Sequence, residues 1–209
     1  MKILRAFSLA ACLALPVPVW AHPHVFVDTT LKVLTDDRGR VFAIEVTWVY
    51  DELFSLLVLE DMQLDGDYDG VLTAAEQARL DGFDMNWDPG FEGDLYVHAA
   101  GAELALNPPE PLQTRFADGK ITTLHRRTLE QPAEQVQIQA YDPYFYTAYD
   151  LKGGVLAPEG CLVRGLTADL DAAYAEVEKK MSEKAYAEDD YPAVGASFAD
   201  TFTVTCPEN

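Results

Sequence analysis

The sequence predicts an α+β fold, mainly β: an antiparallel β-sandwich-like core with an inserted EF-hand-like helix-loop-helix and a C-terminal helix. Three observations carry this prediction. Short runs rich in valine, isoleucine and threonine alternate apolar and polar residues along most of the chain. One acidic stretch, Asp65 to Glu76, has the spacing of a calcium loop and lies between two helical patterns. From Thr167 to about Ala187 the pattern turns helical, with Lys179, Lys180 and Lys184 near its end, where the helix dipole favours cations. Short antiparallel strands interrupted by a helical pair are the signature of a layered β core with an insertion.

The chain opens with a secretory signal, residues 1–21. Lys2 and Arg5 form its positive end, Ala6 to Trp20 its apolar run, and Val19-Trp-Ala21 a small-residue cleavage site. The run is too short, and too broken by Pro16 and Pro18, to span a membrane. A lipoprotein-like stretch, Leu9-Ala-Ala-Cys12, is the rival reading, but few apolar residues precede it. Residues 22–209 then form a single periplasmic domain, with residues 51–86 as its helical insertion. Loss of Lys2 and Arg5, with no acid lost, moves the formal net charge from −20 to −22. Such a chain has no electrostatic affinity for nucleic acid or anionic membrane, and it attracts cations. A hydrophobic share of 49% is ample for a packed core.

His24 to Val33 alternates as a strand, with Val25, Val27 and Thr29 on one face and His24, Phe26 and Asp28 on the other. Asp36 to Gly39 is a turn, and Val41 to Val49 the returning strand of a hairpin. Asp51 is placed to cap a helix running through Leu53, Phe54, Leu57 and Val58. Thr73 and Glu76 have capping-box spacing for an exit helix, Ala74 to about Met85, whose last turn Gly82 weakens. Further strands are predicted at Asp94 to His98, Glu103 to Leu106, Leu112 to Phe116, Ile121 to Leu129 and Val136 to Tyr141. An aromatic turn, Tyr141 to Tyr146, leads to a short strand ending at Asp150, and Ser197 to Cys206 is the last strand.

The acidic stretch fills every ligand position of a calcium loop. Asp65, Asp67 and Asp69 stand at positions 1, 3 and 5, and Gly70 at the sharp turn of position 6. Val71 offers a backbone carbonyl at position 7, Thr73 acts through water at position 9, and Glu76 closes the loop at position 12. Calcium needs six to eight hard oxygens in a flexible shell, which this one segment supplies. Sensor loops come in pairs, and the only comparable stretch, from Asp84, has Pro89 where glycine is required and Leu95 where the closing glutamate belongs. An unpaired loop in an exported protein acts as a structural clip. Cys12 leaves with the signal, so Cys161 and Cys206 are expected to form one disulfide.

Cleavage after Ala21 gives a mature protein that begins His22-Pro-His24. The α-amine of His22 then lies beside its own imidazole, and both can chelate one ion, with His24 and Asp28 further along the strand. Imidazole suits zinc, copper, nickel and cobalt. A square-planar site through the second backbone amide is excluded, because Pro23 has no N–H. The alternative is a polar, frayed terminus. His98 and His125 are candidates to complete a shell, although isolated strand histidines more often make a local hydrogen bond.

The segments Ala21-His-Pro-His-Val-Phe-Val-Asp28 and Tyr141-Asp-Pro-Tyr-Phe-Tyr-Thr-Ala-Tyr149, with the acidic helical loop between them, resemble the bacterial periplasmic domain-of-unknown-function family numbered 1007. The helix after Thr167 and the acidic tail are read as departures from the family core. The resemblance implies a periplasmic component of a transport system, similar to the soluble part of nickel/cobalt exporters. The expectation is a metal-binding accessory protein with calcium and one transition-metal ion, partnered with an inner-membrane metal transporter. The alternative is a calcium-stabilised binding or adhesion module. No hydrolase triad, reactive cysteine or phosphate loop is present, so no enzyme is expected.

Overall fold

A computed structural model of the chain describes residues 23–88, 90–183 and 192–207. The signal segment with Cys12, residue His22 and the last turn expected for the C-terminal helix lie outside them. The first hairpin forms as its residues dictate. Strands β1 (Val25–Thr35) and β2 (Val41–Tyr50) pair antiparallel across the 36–40 turn. Val27, Thr29, Leu31 and Val33 point inward and are buried, while the residues between them are half or fully exposed. Two helices follow, α1 (Glu52–Met62) and α2 (Ala74–Leu80), flanking the acidic loop.

The remaining strands are β3 (Leu95–Ala99), β4 (Ala102–Glu103), β5 (Glu110–Ala117), β6 (Lys120–Ala133), β7 (Gln135–Ala140), β8 (Thr147–Leu156), β9 (Leu162–Leu166) and β10 (Thr201–Thr205). A third helix, α3 (Leu170–Glu183), and a 3₁₀ turn, Gly195–Phe198, lie between the last two strands. The strands form two sheets, ordered β5-β6-β2-β1-β8 and β4-β3-β7-β10-β9. One apolar cluster joins them: Val27, Leu31, Ile44 and Val46 of the first sheet with Val97, Val136, Ile138 and Val204 of the second. The fold is α+β, mainly β, and sandwich-like.

One pairing departs from an all-antiparallel core. β8 runs parallel to β1, with Val25 opposite Thr147 and Asp28 opposite Asp150. The chain leaves β7 in the second sheet and crosses to the first, so β8 starts at the end where β1 starts. β8 is also ten residues long and extends beyond Asp150. β9 has no counterpart in the sequence reading, because Gly165 interrupts an already short apolar run. That glycine has a packing reason: a Cβ there would lie 3.0 Å from the Phe202 ring. The helix expected to run to Met85 stops at Leu80, and Gly82 turns with φ 72°.

The insertion is fastened to the sandwich by polar contacts. Ser55 of α1 accepts the Ile121 amide at 2.9 Å, and Gln77 of α2 donates to the Thr114 carbonyl at 3.0 Å. The apolar residues of α1 do not all turn inward. Ser55 and Leu59 are its buried positions, whereas Leu53, Leu56 and Leu57 are exposed. Cys161 and Cys206 form the expected disulfide across 45 residues. They sit at the paired ends of β9 and β10, where Leu162 faces Thr205, so the bond closes a loop that contains α3.

Candidate metal centre

The loop between α1 and α2 gathers three carboxylates. Oxygens of Asp65, Asp67 and Asp69 lie within 4.8 Å of one another, close enough to share one cation. The backbone sets this up. Gly70 turns with φ 77°, and its amide donates to the Asp65 carboxylate at 3.2 and 3.3 Å. Val71, exposed, donates its amide to Asp69 at 2.8 Å. Leu72 packs against the main core. Thr73 caps α2, and its hydroxyl donates to Glu76 at 2.7 Å while Glu76 returns the capping box.

Glu76 also spans the loop. Its Oε1 accepts the amide of Asp65, the first loop residue, at 3.0 Å. The Thr73 hydroxyl, then the Thr73 and Asp65 amides, hold the Glu76 carboxyl below the usual carboxylate range. Arg79 of α2 donates to the carbonyls of Met62 and Gln63, tying the exit helix to the end of the entry helix. The residues present fit a calcium ion: three carboxylates converge, and a fourth already closes the loop.

The N-terminal residues are arranged differently. His24 is exposed on the outer face of the first sheet, its ring centroid 4.7 Å from that of Tyr146. Its amide donates to the Tyr146 carbonyl at 2.8 Å. Asp28 lies four residues further along the strand, about 13 Å away at the usual strand rise. Its carboxylate is 2.6 Å from the Lys152 ammonium. The fold therefore does not bring Asp28 beside His24. His98 stands on β3 of the other sheet, opposite Glu103 and Gln137. His125 is on β6, with its side chain wholly buried. Its face of the sheet is opposite to that of His24, so neither histidine completes a shell with it.

His125 also lacks the local hydrogen bond expected of a strand histidine. Neither ring nitrogen has a protein partner among the described residues. The ring packs edge-on against Trp48 and Trp87, with centroids at 4.6 and 5.9 Å. Burial, then the neighbouring Arg127 charge, pushes its pKa down to about 3, so the ring is neutral. Around it lies a set of polar groups that the sequence pattern did not single out. Asp84 accepts from Tyr50 at 2.9 Å and Thr123 at 2.7 Å, and burial holds its carboxyl above the usual range. Asp94 accepts from Tyr149 at 2.9 Å, and burial raises it to about 7. Arg127 donates to the carbonyls of Glu92 and Asn107 and lies over the Trp87 ring at 4.8 Å. These contacts pin the segment that follows α2, through Asp84, Glu92 and Asp94, onto β2, β6 and β8. Asp84, which opens the stretch that resembles a second calcium loop, thus serves packing.

A family model described as "Protein of unknown function (DUF1007)" matches residues 7–206. The chain belongs to this family. The matched span runs through the acidic loop and α3. No curated protein matches the chain. Among solved structures, an acetylcholine-binding protein from Bulinus truncatus is similar at 11% identity and a TM-score of 0.36, over 93% of each chain. A likeness at that score carries no argument about fold or function. Among the described residues, no helix is long and apolar enough to cross a membrane.

Proposed function

We propose that this is a periplasmic metal-binding accessory protein that serves a transition-metal transport system and carries a structural calcium ion. The observation that supports metal binding is the convergence of the Asp65, Asp67 and Asp69 oxygens within 4.8 Å, with Glu76 drawn back to the start of the loop. In this reading calcium clips α1 to α2. The transition-metal ion, copper, zinc, nickel or cobalt, is taken by His24 with the imidazole and α-amine of the mature His22. Asp28, held by Lys152, is left out of that shell. The partner is an inner-membrane metal transporter, and the reading assigns no catalytic residue. The disulfide agrees with an oxidising compartment.

A second reading is a calcium-stabilised binding module without a transition-metal role. The packing of His24 on Tyr146 favours it, since a ring held against an aromatic neighbour already has a structural task. Metal analysis of protein isolated from the periplasm with its own N-terminus separates the two. The first reading expects one calcium and one transition-metal ion per chain. Calcium alone supports the second.

A further inference from the structure

A cleft of about 410 Å³ opens between β8, the 141–146 turn, α3 and the 3₁₀ turn. Its walls are aromatic. The Phe145 and Phe198 rings stack at 4.0 Å, and Tyr174 meets Phe198 edge-on at 5.0 Å. Tyr141 lines another wall. Phe145 is held in the left-handed region, with φ 56°, a conformation that a bulky residue adopts only when its surroundings impose it. Those surroundings are visible. The Asp142 carboxylate accepts the amides of Tyr144, Tyr146 and Thr147 at 2.9–3.0 Å, which fixes the turn. The Gly195 amide donates to the Pro143 carbonyl at 2.9 Å, and a Cβ on Gly195 would lie 1.7 Å from the backbone carbonyl oxygen of Asp142. The backbone is thus pressed together at the point that brings Phe145 against Phe198.

The charge in this cleft has one sign. Asp150 and Asp200 line it, and no lysine, arginine or histidine does among the described residues. Asp200 accepts the Ala168 amide through Oδ1 at 2.9 Å, which orients the carboxylate and leaves Oδ2 to meet a ligand. Lys152 is shared between two carboxylates, Asp28 at 2.6 Å and Asp150 at 3.6 Å, whereas Asp200 has no ion-pair partner among the described residues. Aromatic faces are negative at their centres, so aromatic walls with carboxylates attract a cation that also has apolar surface. An anion meets the Asp200 carboxylate there, and a strongly hydrated metal ion gains little from the rings. We infer that the cleft is a binding site for an organic ammonium ligand with an apolar or aromatic body. Its positive end sits at Asp200 and its body lies against Phe198, Phe145 and Tyr174. The inference stands apart from the metal reading, because it uses neither the calcium loop nor the histidines.

The test uses the full mature chain in calcium-containing buffer, with three probes of similar size and different charge: benzyltrimethylammonium, benzyl alcohol and benzoate. Isothermal titration gives their affinities at low salt and again at high salt. The expected order is cation, then neutral probe, then anion, with about tenfold or more between the first two, weakening as salt rises. Asp200→Asn keeps an acceptor for the Ala168 amide and should weaken the cation about tenfold while leaving benzyl alcohol unchanged. Phe198→Leu should weaken both. Melting temperatures of the two variants identify any that fails to fold, and the probe series on the unaltered chain decides the matter without them. Equal affinity for the neutral probe reduces the cleft to an apolar groove and overturns the inference. Preference for benzoate, or no saturable binding of the cation at any soluble concentration, overturns it as well.

Discussion

Asp51 shows how much one side chain does here. Its Oδ1 accepts the Phe54 amide at 2.8 Å and caps α1, while its Oδ2 accepts the Phe26 amide of β1 at 2.9 Å. The capping role was legible in the sequence, since an aspartate before an apolar helical run signals it. The bond to β1 spans 25 residues and was not. Asp51→Ala should lower stability by about 1–2 kcal/mol, read from urea denaturation, because it removes a helix cap and a strand contact together. Asp51→Asn keeps one acceptor and should lose less. Two buried titrating groups make a second prediction at this scale. His125 stays neutral down to about 3, so below its ordinary 6.5 the unfolded chain takes up a proton that the native chain refuses. That contribution to stability is lost as pH falls through this window. Asp94 stays protonated up to about 7, so above its ordinary 3.8 the unfolded chain has released a proton that the native chain keeps. That contribution is lost as pH rises. The two slopes oppose each other between about 3.8 and 6.5. Relative to the parent chain, Asp94→Asn should therefore gain stability with rising pH in that window, and His125→Leu should lose it. Parallel pH curves for both variants and the parent would contradict the account.

At the scale of elements, local signals were the legible ones. The first hairpin, the Asp51 cap, the capping box and the turn that gathers Asp65, Asp67 and Asp69 each depend on nearby residues, and each forms where the spacing places it. Elements that depend on distant partners were not legible. β8 is long and parallel because it pairs with β1, more than a hundred residues earlier. β9 exists because β10 and the disulfide hold it. The buried contacts of Asp84 and Asp94 join residues 34 to 55 positions apart, which no periodicity reports. The cleft was hidden for the same reason: its aromatics come from three elements, and the Tyr141 to Tyr149 run alone reads as core packing. Two predictions belong here. Calcium should raise the melting temperature, saturating at about 10⁻⁴ to 10⁻³ M if the loop has an extracellular-type affinity. Glu76→Gln, whose single carbonyl oxygen can keep the Thr73 bonds but not the Asp65 bond as well, should melt somewhat below the parent in calcium-free buffer and lose most of the calcium gain. No calcium-dependent shift in the parent would remove the structural role. Cleavage of the Cys161–Cys206 bond should lower stability by about 4 kcal/mol in the chain-entropy picture, read as a shift in the urea midpoint under reducing conditions.

Across the whole molecule, the two candidate ligand regions lie on one frame. Asp51 links the start of β1 to α1, so the strand that follows His24 and the helix that enters the acidic loop share a carboxylate. The formal net charge of −20 draws cations to every part of this surface, and selectivity must therefore come from ligand chemistry rather than from charge. In the proposed N-terminal site that chemistry would depend on an amine that exists only if the chain is cleaved before His22. Pro23 forbids the amide-bound alternative. Each ligand must also shed a proton, so binding should weaken in acid. The most direct measurement is a titration with copper, zinc, nickel and cobalt of two forms of the mature protein, one beginning at His22 and one carrying a leading alanine. The account predicts that the first binds one ion per chain and that the second binds it at least about tenfold more weakly, its amine having moved off the histidine. Equal affinities would contradict the amine's part in the site. Failure of both forms to bind would contradict the transition-metal role itself.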